Sequence, residues 1–236
     1  MAVDATAGDE PARRPRGRPR KTPDELDDGN RRQKLLRVAA RLFRRQGFAA
    51  TTTRDIAAAA GMRSGSPFYH FKNKAALLFA VMEQGMHTAL QRQARALESM
   101  LARPADVTPD ALLRTLVRTH FDILLGPGSD FIPVMLYEWR SLTPLQRSAI
   151  ATLQRDYEGA WAGALAALQE AGRLQADARV ARLMFLGALN WSVQWYKPKK
   201  GASLDDLTEI AMQLFVPTAA AATAPASTTA THRKPK

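Results

Sequence analysis

Helical apolar spacing, interrupted again and again by Gly and Pro, dominates this sequence. Between residues 29 and 216 those two residue types fall mostly in the gaps, and no stretch keeps the two-residue alternation of a strand. Thr108, Asp130, Thr143, Asp177 and Ser203 each precede an amphipathic stretch, where a side-chain oxygen can accept a hydrogen bond from a free helix-start amide. The chain therefore reads as all-α with about nine helices. The expected spans are 30–46, 53–60, 65–71, 74–101, 109–125, 131–141, 144–172, 178–196 and 204–216.

The ends read differently. Residues 1–28 lack apolar periodicity and are expected to be a disordered basic arm; residues 217–236, rich in Ala, Thr and Pro, are expected to be a disordered tail. No apolar run approaches the roughly 18 residues of a membrane span, and residues 1–25 hold no hydrophobic stretch of secretory type. The chain has no cysteine, which excludes a disulfide framework, a Cys-ligated zinc site and thiol chemistry. The expected compartment is the cytoplasm, with no membrane partner.

Charge is distributed unevenly. Residues 1–80 carry 17 Lys/Arg against 8 Asp/Glu, residues 81–216 carry 14 of each, and residues 217–236 add three basic residues to reach a net +12. A basic N-terminal third on a neutral body is the pattern of a polyanion-binding head. Nucleic acid is the expected partner, with an anionic membrane surface as the weaker alternative; a helix-turn-helix in this third would make the partner double-stranded DNA.

The segment Thr52–Phe71, TTRDIAAAAGMRSGSPFYHF, is laid out as a helix-turn-helix. Thr52 and Asp55 form a capping box, small residues from Ala57 to Ala60 let a second helix cross closely, and Gly61 permits the turn. A short second helix then offers its N-terminal side chains to base edges, while free amides at helix starts suit phosphate oxygens. In the preceding helix Leu35, Val38, Ala39, Leu42 and Phe43 form the apolar stripe, and Lys34, Arg37, Arg41 and Arg44 lie on the other face.

Residues 35–81 resemble the DNA-binding head of TetR-type (tetracycline-repressor-type) transcriptional regulators. The matching elements are A-x-x-L-F-x-x-x-G-F, T-T-x-x-D-I-A-x-x-A-G, G-S-x-F-Y-H-F and K-x-K-x-x-L. The resemblance implies a helix-turn-helix domain over 29–89 and an effector-binding and dimerisation domain over 90–216. It also implies that Thr52, Thr53 and Lys74 hold phosphates. Ser64, Gly65, Ser66, Phe68, Tyr69 and His70 would form the recognition segment, with His70 either on a phosphate or acting as a structural cap. Pro67 and Phe68 depart from the family pattern; Phe68 lacks the hydroxyl of the usual Tyr, which shifts phosphate bonding toward Tyr69.

Upstream, Arg16-Gly17-Arg18-Pro19-Arg20 resembles an AT-hook, an extended Gly-Arg-Pro core lying in an A·T minor groove. The alternative is a basic arm that binds any duplex electrostatically.

In the body, Phe121, Phe131, Met135, Trp139, Tyr157, Trp161, Phe185 and Trp191 either line an effector cavity or fill the core; helical spacing does not separate the two. The resemblance favours a cavity for a small hydrophobic effector, and the string ALNWSVQWYKPKKG is similar to the acyl-CoA-responsive subgroup. It also implies a homodimer through the last two helices, with Gly187, Ala188, Trp195, Leu207 and Leu214 at the interface. No cofactor and no metal are expected. The leading reading is a ligand-released repressor on a palindromic operator. An architectural A·T-rich DNA protein and a helical enzyme stand as alternatives, and the enzyme lacks any P-loop, H-E-x-x-H or G-x-S-x-G.

Overall fold

Gly47 sets the first feature of the fold. Helix α1 spans Pro23–Ala50 as two pieces joined at this residue, whose φ of 81° and ψ of 160° only glycine adopts without strain. The sequence reading ended the helix here; the chain instead turns and resumes helix for one short piece. The helix also begins earlier than expected, so residues 23–28 are helical backbone and not disordered arm. Proline suits that start, because first-turn amides have no intrahelical acceptor. The computed structural model describes residues 23–62, 69–198 and 201–216, with side chains from residue 29 onward.

Helices α2 (Thr53–Ala59), α3 (Lys74–Leu101), α4 (Pro109–Leu125), α5 (Phe131–Glu138), α6 (Pro144–Glu170), α7 (Ala178–Trp195) and α8 (Leu204–Phe215) follow, with short 3-10 turns at Pro104–Asp106 and Trp139–Ser141. That makes eight α-helices and no strand among the described residues, an all-α fold. The expected 65–71 helix falls mostly outside them, although Tyr69 and His70 are helical.

Four of the five body caps work as their chemistry predicts: Thr108, Thr143, Asp177 and Ser203 accept from the amides of Ala111, Gln146, Val180 and Asp206. Asp130 does not cap α5; its carboxylate turns to Arg44 instead. No described helix is long and apolar enough to cross a membrane.

Helix α3 is the spine. Its first half buries Leu77, Leu78 and Val81 in the head core with Leu35, Leu36, Ala39, Ala40 and Phe43 of α1 and Ile56 of α2. From Gly85 onward it packs on α4, α5 and α6, with Gly85 against Phe131 and Ile132. Val38 and Leu42, expected in the α1 stripe, are only half-buried at its edge.

Candidate nucleic-acid interface and effector cavity

The helix-turn-helix begins with a closed cap. The Asp55 amide donates to Thr52 Oγ1 (3.1 Å) and the Thr52 amide donates to Asp55 Oδ2 (2.8 Å). Hydrogen bonding to the carboxylate, from the Thr52 hydroxyl foremost and then from the Thr52 amide, holds Asp55 below the usual carboxylate range. The helix ends in a Schellman turn: Gly61 at φ 65° donates to the Ala58 carbonyl, and Met62 donates to that of Ala57. Both ends of α2 are thus fixed by local chemistry, which sets the direction in which the chain leaves for the recognition segment.

Within that segment Ser64, Gly65, Ser66 and Phe68 lie outside the described residues, as do Arg16, Gly17, Arg18, Pro19 and Arg20 of the arm. Tyr69 is 82% exposed, its ring edge-on to His70 at 5.1 Å. His70 is half-buried between Tyr69 and Phe71, and Phe71 is buried beneath the Arg32 guanidinium, 5.3 Å from its ring centre. Thr52 is exposed and Thr53 half-buried at the start of α2, where free amides already favour an anion.

Lys74, expected at a phosphate, is engaged within the head. Its ammonium donates to the carbonyls of Phe48 (2.8 Å), Thr51 (2.8 Å) and Ala49 (3.4 Å), and sits 4.3 Å over the Phe48 ring. Through these contacts Lys74 clamps the segment leading into the Thr52 cap. The same segment is held from the body side, where the Phe48 amide donates to Glu138 Oε1 (2.8 Å). Nearby, Arg44 donates to Asp130 (3.0 Å) and to the Ser129 carbonyl (3.2 Å). Arg44 is therefore a head-to-body tie, whereas Lys34, Arg37 and Arg41 remain on the exposed basic face.

The body holds a partly open cavity of about 70 Å³ among α3, α4, α5, α6 and α7. Met86, Ala89, His120, Ile123, Ile132, Met135, Gln154, Tyr157, Glu158, Leu186 and Asn190 line it. Of the expected lining, only Met135 and Tyr157 are in place. Phe121, Trp161 and Phe185 are buried core, with Trp161 packed edge-on to the His120 ring at 5.5 Å. Phe131 lines a smaller neighbouring cavity, and Trp139 sits half-buried in the 3-10 turn after α5. Trp191 is 65% exposed, because it lies on the face of α7 opposite Phe185 and Leu189.

Sequence reading missed the polar wall of this cavity. His120 Nδ1 lies 2.9 Å from the Tyr157 hydroxyl and Nε2 lies 3.2 Å from Asn190 Oδ1. Burial pushes the His120 pKa down to about 4 and pushes the Tyr157 phenol up, so both are neutral near pH 7. A carbonyl oxygen only accepts, so Nε2 carries the proton toward Asn190, and Nδ1 accepts from the Tyr157 hydroxyl. That order leaves the Asn190 amide hydrogens without a protein acceptor among the described residues. Gln93 braces the arrangement by donating to the Tyr157 carbonyl (3.0 Å), while its own buried oxygen has no partner. The available signal was His120 itself, a polar ring three residues from Val117 and four from Leu116 on an otherwise buried stripe.

The outer face of α7 and α8 is uncovered. Val180, Leu183, Met184, Trp191 and Trp195 on α7, with Ile210 and Leu214 on α8, are exposed, and Gly187 and Ala188 lie among them. Of the residues expected at a dimer contact, Gly187, Ala188, Trp195 and Leu214 share this face. Leu207 does not: it is 7% exposed and faces the protein's own core, where α8 packs on α4.

Comparison with known proteins agrees with this architecture. Residues 35–81 match the pattern described as bacterial regulatory proteins of the tetR family, and residues 106–218 match the tetracyclin repressor-like C-terminal domain. The HTH-type transcriptional repressor KstR2 of Rhodococcus jostii (strain RHA1) is 29% identical over 195 residues, covering 80% of this chain and 92% of that protein. Two crystal structures superpose over most of the chain. The superantigen PfiT is 34% identical at a TM-score of 0.66, covering 80% of this chain and 97% of that one. AibR in complex with isovaleryl coenzyme A and operator DNA is 27% identical at a TM-score of 0.67, covering 79% and 98%. With one family pattern over the head and the other over the body, the chain belongs to the tetracycline-repressor family and is a DNA-binding transcriptional regulator.

Proposed function

We propose that this regulator is a ligand-released repressor that binds a palindromic operator as a homodimer, with a hydrophobic acyl thioester of coenzyme A as effector. One observation carries the reading. Helix α3 is one continuous helix whose first two turns, through Leu77, Leu78 and Val81, form the head core and whose middle, through Met86 and Ala89, forms the cavity wall. A ligand that displaces the wall therefore moves the head. Helix α5 supplies a second link, since Ile132 and Met135 line the cavity while Glu138 holds the Phe48 amide. The cavity, about 70 Å³, is small beside an acyl thioester, so an effector that fills it pushes on these helices.

On DNA, Thr52 and Thr53 take phosphates at the start of α2, and the segment holding Ser64, Gly65, Ser66, Phe68, Tyr69 and His70 enters the major groove. Arg16–Arg20 reach the adjacent minor groove from the arm. The uncovered α7–α8 face pairs with its copy in a second chain and sets the two recognition segments about 34–36 Å apart, one turn of B-DNA. AibR was crystallised with isovaleryl coenzyme A and operator DNA, which supports the effector class. The site of action is the cytoplasm.

The test begins with an operator selected from random duplexes by the purified protein. Fluorescence anisotropy then follows its release by acyl-CoA esters of increasing chain length. Release at micromolar ester is expected; DNA binding untouched at every chain length would reject the effector class. By linkage, operator DNA must weaken ester binding by the same factor.

A further inference from the structure

A second hollow, about 30 Å³ and partly open, lies beside the cavity between α3, the end of α4 and the start of α5. Ala89, Ile123 and Ile132 line both spaces, so only three apolar side chains form the partition, the smallest of them a methyl. His120, Tyr157 and Asn190 border the cavity but not the hollow.

The polar side chains of the hollow are already engaged with the protein. The Thr88 hydroxyl donates to the Gln84 carbonyl (2.8 Å), the Ser129 hydroxyl to the Asp122 carbonyl (3.2 Å), and Arg92 to the Asp122 carboxylate (3.3 Å). The partition and Phe131 supply the apolar wall. Such a space favours hydrocarbon, because a polar group entering it would give up water for little in return.

Its position matters more than its size. Gly85 lets α5 approach α3 closely: a Cβ there would stand 2.8 Å from Phe131 Cβ and 3.4 Å from Ile132 Cδ1. Both Gly85 and Phe131 line the hollow, so added atoms in it press these two helices apart. The side that would yield is tied to the head. Ser129 lines the hollow and accepts from Arg44 through its carbonyl (3.2 Å), and Asp130 accepts from the same guanidinium (3.0 Å). At the other end of α5, Glu138 holds the Phe48 amide (2.8 Å).

We propose that this hollow is the trigger subsite for the effector and takes the hydrocarbon end of the bound molecule. A chain that stops in the cavity binds. A chain that passes Ala89 wedges α5 from α3, draws Ser129 and Asp130 off Arg44 and frees the head. A ligand shifts an equilibrium only by its differential affinity for the two states, and the hollow is where a longer chain acquires that difference. The subsite rests on the effector reading above for the class of molecule, while the split between binding and response stands on the α3–α5 contact alone.

The test takes acyl-CoA esters from acetyl to palmitoyl on the full-length protein. Calorimetry gives the Kd of each ester, and fluorescence anisotropy gives the concentration that releases half the operator. In the parent, Kd should improve steadily with chain length, whereas the half-release concentration divided by Kd should drop at least about tenfold over about two added methylenes. Ala89→Leu blocks the passage. Kd for esters below the drop should change by less than about threefold, and release by longer esters should need at least about tenfold more ester. Phe131→Leu enlarges the hollow, so the drop should move to longer chains; it adds no bulk and decides the matter if Ala89→Leu does not fold. Release that tracks Kd at every chain length overturns the subsite, and so does a drop that stays in place in Phe131→Leu. If no ester binds the parent, the effector class fails and the subsite with it. If esters bind and release DNA with a single profile in parent and variants, the subsite fails alone.

Discussion

The two cores of this protein are built from different materials. The head core is hydrocarbon: Leu35, Leu36, Phe43, Ile56, Leu77 and Leu78 meet with no side-chain hydrogen bond among them, and the buried polar Thr51 bonds to its own Gly47 carbonyl. The body core has a polar chain through its middle, with Tyr157, His120 and Asn190 joined across α6, α4 and α7 and Gln93 reaching in from α3. A dry core has one good packing and holds its shape. A core with partly satisfied polar groups keeps a reason to rearrange when a ligand offers better partners. The head is an all-hydrocarbon core, the body carries buried polar groups that a ligand can engage, and α3 joins them.

The contrast can be attacked where the body is best filled. Trp161→Ala should destabilise the body by about 3–5 kcal/mol in denaturant unfolding, because the ring is fully buried against His120 and Phe185. A cost below about 1 kcal/mol would mean that the sensing core is loosely packed throughout.

Acid should separate the two regions next. The unfolded chain protonates His120 near its ordinary 6.5, whereas the native protein resists until about 4, so the His120 contribution is intact above 6.5 and lost as pH falls between those values. The slope is about 1.4 kcal/mol per pH unit, and His120→Gln should flatten it. In the head, Asp55 is held below its usual 3.8, so its contribution fades only as pH falls further. Stability measured against pH, with hydrogen exchange to locate the loss, should show the body loosening first; simultaneous loss in α2 would erase the distinction.

Tyr69→Ala sharpens the comparison from the DNA side. It should weaken operator binding by about 1–3 kcal/mol while leaving thermal unfolding unchanged, as expected of an exposed reader on a rigid frame. The smallest effect belongs to Thr52→Ala, which removes one cap from α2. A loss of about 1 kcal/mol, confined to the exchange protection of α2 amides, is expected.

The head was legible because its determinants are local. A Thr three residues before an Asp, or a Gly after four alanines, closes its hydrogen bonds within one turn of chain, and the structure holds them there. The same holds for Thr143 and Ser203 in the body. What could not be read was long-range. The His120 contacts join residues 37 and 70 positions apart, and the Lys74 clamp depends on where the Gly47 turn puts the Phe48 carbonyl. Asp130 shows how tertiary contacts override local chemistry, since an arginine 86 residues away claims the carboxylate that a cap would have used. Aromatic residues misled for a related reason: helical period places Trp191 and Phe185 on one helix but does not say which side meets solvent.

The placement of the tryptophans gives the molecule an optical signature. Trp161 lies one layer behind the cavity and is shielded from water, while Trp191 and Trp195 stand on the bare face of α7. Emission from the first follows what enters the sensing core, and emission from the other two follows whether that face is wet or covered. With Trp139 replaced, a water-soluble quencher would separate the shielded emission of Trp161 from that of the two exposed rings, without any attached dye.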